Sequence, residues 1–124
     1  MVFKIRTKTM NIHYKRGDVI LIHYLDPNQH PKKRPALVLQ ADGLDTSLPQ
    51  TIVAMITSNL ERTGETRVSI DRNSPQGKQM GLATDSVVML DHLSTVLDRE
   101  IDKVIGTCPD MTAIEIALRK VLQL

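Results

Sequence analysis

Aromatic side chains are nearly missing from this chain: Phe3, Tyr14 and Tyr24 are the full set, and tryptophan is absent. Any core must therefore be built from Val, Ile, Leu and Met, and a platform of rings for stacking nucleic-acid bases is disfavoured. Cysteine is reduced to Cys108, which can form no internal disulfide and points to a reducing compartment. Hydrophobic runs are short, and none approaches the ~20 apolar residues that cross a bilayer. The basic segment 1–10 is too polar for the apolar centre of a secretory signal, so a cytoplasmic location is expected. Neither Gly-x-x-x-x-Gly-Lys nor Gly-x-Gly-x-x-Gly occurs, which sets nucleotide-driven chemistry aside. His13, His23, His30 and His92 are scattered without ligand spacing, so no metal and no other cofactor is expected.

What is present fits one small domain. The 124 residues are 41% hydrophobic, enough for a single core. Residues 1–13 are read as an N-terminal extension, with Met10 an alternative start, and residues 14–124 as the domain. Apolar stretches at 19–25, 35–41 and 51–58 are bounded by Gly, Pro or Asp and have the pattern of covered strands. Residues 66–70 alternate like a half-buried strand, and 71–77 must turn. Two apolar runs, 86–90 and 93–97, flank Asp91 and His92, and 104–107 adds a short last strand. Pro109 stands where proline is tolerated at a helix start, after which Met111, Ile114, Ala117, Leu118, Val121 and Leu122 recur at helical spacing. The expected fold is mainly β: a small antiparallel barrel closed by a C-terminal α-helix. Loops at 26–33, 41–50 and 71–83 are long for such a domain and are candidates for function.

A net charge of +2 is too mild for a polybasic protein, so any attraction to phosphate must come from local clustering. The cluster is Lys32, Lys33 and Arg34, at the far end of the loop that joins the first two strands. Pro35 restricts Arg34 to extended backbone, which fixes the direction of a guanidinium able to offer paired donors to a phosphate. Cations on the rigid edge of a sheet point toward RNA. The third strand ends in Thr57, Ser58 and Asn59, small polar side chains mounted where ladder hydrogen bonds hold the backbone. Histidine is a common general base, and His30 in the loop before Arg34 is placed for that role, whereas His23 lies inside a strand and is read as structural.

Five blocks together resemble the MazF/PemK family of toxin ribonucleases. They are Arg16-Gly17-Asp18-Val19, Arg34-Pro35-Ala36-Leu37-Val38-Leu39, Val53-Ala54-Met55-Ile56-Thr57-Ser58, Asp85-Ser86-Val87-Val88-Met89-Leu90-Asp91 and Lys103-Val104-Ile105-Gly106-Thr107. Each is weak alone, but the order and spacing are specific, and a terminal helix follows. The resemblance implies an SH3-like barrel, a homodimer, and metal-independent, sequence-specific cleavage of single-stranded RNA by attack of its own 2′-hydroxyl. Products would end in 2′,3′-cyclic phosphate and 5′-hydroxyl. A cognate antitoxin protein would cover the active surface, and operator DNA would be met only through the antitoxin complex.

Carried over by position, the catalytic pair is Arg34 and Thr57; Lys32, Lys33, Ser58, Asn59, His30 and His92 are the expected substrate-binding residues. This chain departs from its relatives at His92, where Gln is common, at Ser94, where Arg is frequent, and in the loop 26–33, which lacks their glycine-rich form. Residues 87–90, 93–97 and the helix are the expected dimer seam. Two other functions suit the same barrel. One is a CcdB-like toxin that binds DNA gyrase, against which the terminus lacks that lineage's Trp. The other is an inactive relic that only binds an antitoxin, against which both Arg34 and Thr57 are intact.

Overall fold

The computed structural model describes residues 14–44 and 46–124. The expectation for residues 1–13 lies outside them. In chain order the elements are β1 (Asp18–Leu25), β2 (Pro31–Val38), β3 (Gln50–Thr57), β4 (Arg67–Ile70), α1 (Pro75–Met80), β5 (Ser86–Leu97), β6 (Ile101–Thr107) and α2 (Thr112–Leu122). The strands form a six-stranded sheet in the order β4-β5-β3-β2-β1-β6, antiparallel at every pairing. A single 3₁₀ turn, Asp98–Glu100, joins β5 to β6. It is fastened by the Leu97 N–H donating to Glu100 Oε1 at 2.8 Å. So short a link can connect strands that lie four places apart in the sheet only if the sheet curls until they meet, and this produces the barrel.

Curling gives the sheet two buried faces, and the strands divide their side chains between them at the period of two. Ile20, Ile22, Ala36, Val38, Val53, Met55, Val87 and Met89 form the core inside the curl, joined by Val96 and Ile101 from either side of the 3₁₀ turn. Their neighbours Val19, Leu37, Ala54, Ile56, Val88 and Leu90 form a second core on the opposite face, covered by Met80 of α1 and by Ile114 and Ala117 of α2. Burial on both faces is why the strands have continuous apolar runs instead of an alternating pattern.

Several expectations change. Lys32, Lys33 and Arg34 belong to β2, not to a loop, because β2 begins at Pro31 and pairs with β1 from Leu25↔Pro31 onward. The connecting loop is only residues 26–30, closed by Asp26 Oδ1 accepting the N–H groups of Asn28 and His30, both at 2.9 Å. Residues 75–80, read as part of a turn and loop, form α1, with the Ser74 hydroxyl accepting the Gly77 N–H at 3.0 Å and Pro75 in the first turn. The two runs around Asp91 and His92 are one bent strand, since the β5 register against β3 jumps from Ala54↔Leu93 to Met55↔Met89. β6 starts at Ile101, three residues early, and α2 starts at Thr112, leaving Pro109 outside it. Residues 87–90 are 0–4% exposed inside the single chain and cannot form a seam with another.

Candidate active site

The register of β2 against β3 brings the two sequence-predicted catalytic residues together. Pairing runs Val38↔Val53, Leu37↔Ala54, Ala36↔Met55 and then stops. Pro35 has no N–H to continue the ladder. Two steps beyond Ala36↔Met55 the same register sets Arg34 opposite Thr57, where the strands part. Both line a hollow of about 550 Å³, together with Lys33, Ser58, Tyr24, Lys103 and the segment 81–84 that follows α1.

Arg34 is half-buried, and its guanidinium lies over the Tyr24 ring, 4.7 Å from the centroid. That contact holds a cation in place without neutralising it. Among the described residues no carboxylate stands within ion-pair reach of Arg34. Its charge is therefore available to an incoming anion. Thr57 Oγ1 accepts the Asn59 N–H at 3.1 Å, which leaves the Thr57 O–H free to donate. Asn59 in turn caps the loop, its Oδ1 accepting the Glu61 N–H at 3.1 Å.

Lys33 points to the other face of β2 from Arg34. Its Nζ donates to Asp102 Oδ2 at 3.0 Å, and His23 Nε2 lies 3.6 Å from Asp102 Oδ1. Hydrogen bonding from Lys33, with the positive charges of Lys33, His23 and Lys103 nearby, holds the Asp102 carboxyl below its ordinary pKa. A second hollow of about 280 Å³ opens on the other flank of Arg34, lined by Tyr24, Met55, His92, Ser94 and Glu100 among others. Arg34 and Tyr24 thus form the ridge between two adjoining depressions.

Of the eight residues singled out from sequence, Arg34, Thr57, Ser58 and Lys33 converge on the larger hollow, and His92 joins Arg34 at the smaller. Lys32, His30 and Asn59 line neither. Lys32 is exposed opposite Tyr24 in the β1 register, and His30 Nδ1 turns to Asp26 Oδ2 at 3.6 Å. Sequence reasoning missed Tyr24 and Lys103, whereas the wall 81–84 falls largely within the loop 71–83 singled out as a candidate for function. That wall is pinned by Arg72, whose backbone N–H donates to Asp85 Oδ1 at 2.9 Å and whose Nη1 donates to Ala83 O at 2.6 Å. Gly81, at φ +71, brings it against the Ile105 carbonyl of β6. Among the described residues no cluster of His, Cys, Asp and Glu could hold a metal ion.

No curated protein matches this chain in sequence. Solved structures do. The Mycobacterium tuberculosis toxin MazF-mt6 is 28% identical with a TM-score of 0.66, over 85% of this chain and 96% of that one. A mycobacterial endoribonuclease solved with its cognate antitoxin has 21% identity and a TM-score of 0.68, over 90% of this chain and 97% of that one. A MazE-MazF structure from Deinococcus radiodurans has 17% identity and a TM-score of 0.67, over 90% and 96%. At these last two identities the likeness speaks for the fold alone. Residues 15–122 match the PemK-like, MazF-like toxins of type II toxin-antitoxin systems, almost the whole of the described domain, and the protein belongs to that family.

Proposed function

We propose that this protein is a toxin endoribonuclease that cuts single-stranded RNA at short sequence motifs in the cytoplasm without a metal. It acts as a homodimer and is neutralised by a cognate antitoxin that covers the cutting surface. The observation that carries this is the meeting of an unpaired guanidinium, Arg34, and a free hydroxyl donor, Thr57, on one hollow. Membership of the toxin family and likeness to the toxin MazF-mt6 add weight.

In the proposed reaction the RNA 2′-oxygen loses its proton and attacks the adjacent phosphorus, the P–O5′ bond breaks, and the departing 5′-oxygen takes up a proton. The ends left are a 2′,3′-cyclic phosphate and a 5′-hydroxyl. Because the nucleophile lies in the substrate, the protein has only to align it and stabilise developing charge. A guanidinium is a poor proton donor, so the role of Arg34 is electrostatic, on the crowded phosphorane. The Thr57 hydroxyl donates to a nonbridging oxygen. His92, beside Arg34 at the smaller hollow, is our choice for the base that takes the 2′ proton. Dimerisation draws support from the outer face of α2, where Ile116 is 54% and Leu122 47% exposed.

The test is cleavage of a mixed RNA pool in EDTA, with the new ends sequenced and their phosphates identified. Arg34→Ala is expected to slow cutting by about 10²- to 10³-fold, the usual scale for removing one group aimed at transition-state charge. Cutting at an undiminished rate would refute the mechanism, and growth arrest relieved by the neighbouring gene's product would support the antitoxin.

A further inference from the structure

Lys103 has no part in the chemistry above, yet it lines the larger hollow beside Lys33 and Arg34. Its placement depends on an irregularity of β6. Between Leu21↔Lys103 and Ile22↔Ile101 the β1–β6 register slips, leaving Asp102 as the extra residue of a bulge. In a regular strand, residues 102 and 103 would face opposite ways. Here both serve the face that carries Leu21 and Pro35, which also line the hollow.

The bulge makes an anion available where cations would otherwise repel one another. Asp102 holds Lys33 at 3.0 Å and His23 at 3.6 Å, while Lys103 sits close enough to lower its pKa. Asp102 itself does not line the hollow, so it stands behind the ammonium groups that do. A lysine engaged by one carboxylate still has donors to offer. The outcome is a cationic rim with two separate parts: Arg34 on the ridge facing Thr57, and the Lys33–Lys103 pair reaching in from the other face of β2 and from β6.

Taking RNA cleavage at Arg34 as given, we propose that Lys33 and Lys103 form a second phosphate subsite, which grips the phosphate next to the one being cut. A lone scissile phosphate needs one such cradle, whereas the larger hollow has two. Asp102 is a positioning residue for this subsite, and Lys103 is a binding residue that acts on substrate affinity.

The experiment uses the full chain and an RNA oligonucleotide carrying the cleavage motif read from its own products, with a neighbouring linkage changed to an uncharged methylphosphonate on one side or the other. Lys103→Ala is expected to raise KM about fivefold, the scale of one exposed ion pair, and to leave kcat within about twofold. The dependence of log KM on log salt should flatten by about 0.7, the value for one single-strand phosphate contact. At one of the two linkages the methylphosphonate should raise the wild-type KM similarly, and there the two changes together should do no more than either alone. Lys120→Ala, at a lysine of α2 that lines neither hollow, should show no such coupling. If the two losses multiply at both linkages, or Lys103→Ala leaves KM unchanged, the subsite is refuted while cleavage stands. A wild-type protein that cuts no RNA would overturn the function and the subsite together.

Discussion

The close approach of α1 to β6 fixes one wall of the hollow, and glycine substitutions measure what that approach is worth. A Cβ on Gly106 would lie 2.4 Å from Gln79 O and from the Met80 carbonyl carbon, both backbone atoms that cannot swing aside. Reaching the 3.4 Å of an ordinary contact requires α1 to retreat from β6 by about 1 Å. Met80 is fully buried, so the retreat also loosens the helix-side core. Gly106→Ala is therefore expected to cost about 2 kcal/mol, within the usual range for overpacking, and to lower Tm by roughly 8 °C. Gly43→Ala is the comparison: at φ +74 with nothing within 4 Å, it incurs only the left-handed backbone cost of about 1 kcal/mol. Gly81→Ala combines both, at φ +71 and 2.1 Å from Ile105 O, and should lose about 3 kcal/mol. Urea unfolding followed by circular dichroism should rank stability as wild type, Gly43→Ala, Gly106→Ala, Gly81→Ala. A Gly106→Ala protein as stable as Gly43→Ala would refute a rigid contact between α1 and β6.

Thr57→Val should reduce the cleavage rate by about 10²-fold while Thr57→Ser restores most of it, because the donor and not the methyl group is required; single-turnover kinetics on one RNA would show the difference. Ser74→Ala removes the hydroxyl that caps α1 and should cost about 1 kcal/mol in urea unfolding. The Asp102 carboxyl is held below its unfolded-state pKa, so its contribution to stability is present above the unfolded value and is lost as pH falls through the folded one. Acid unfolding should therefore be less steep across that window in Asp102→Asn than in wild type, and identical slopes would contradict the Lys33–Asp102 contact. Burial raises the Cys108 thiol pKa, so the native protein should react with thiol reagents much more slowly than the urea-unfolded chain at neutral pH.

Where side-chain periodicity alone decides an element, the sequence was a sound guide. The runs around Ile20, Val53 and Val88 are strands because both sheet faces are covered, and the Ile114–Ala117 stripe is the buried side of α2. The elements that were missed depend on less periodic signals. α1 has six residues, too few turns for an apolar stripe, although Ser74 followed by Pro75 is a legible start. The cationic stretch 32–34 looked like a loop because its strand character comes from pairing with β1, a tertiary contact that charge does not announce. Asp91 and His92 looked like a break because the polar pair marks the bend of β5, where Arg67 clasps Asp91 through Nε at 3.2 Å and Nη2 at 2.8 Å. In the site, Arg34 and Thr57 were singled out by Pro35, the strand end and, for their pairing, the family resemblance, but Lys103 and Asp102 share a face only through a bulge, which has no sequence pattern of its own.

The ring beneath Arg34 has a practical use. With tryptophan absent, intrinsic emission in the described domain comes from Tyr14 and Tyr24 alone, and Tyr24 is the one stacked against the guanidinium at 4.7 Å. An anion that draws Arg34 away would change the surroundings of that fluorophore directly, so the unlabelled protein carries its own optical sensor of occupancy, usable on RNAs too slow to cut.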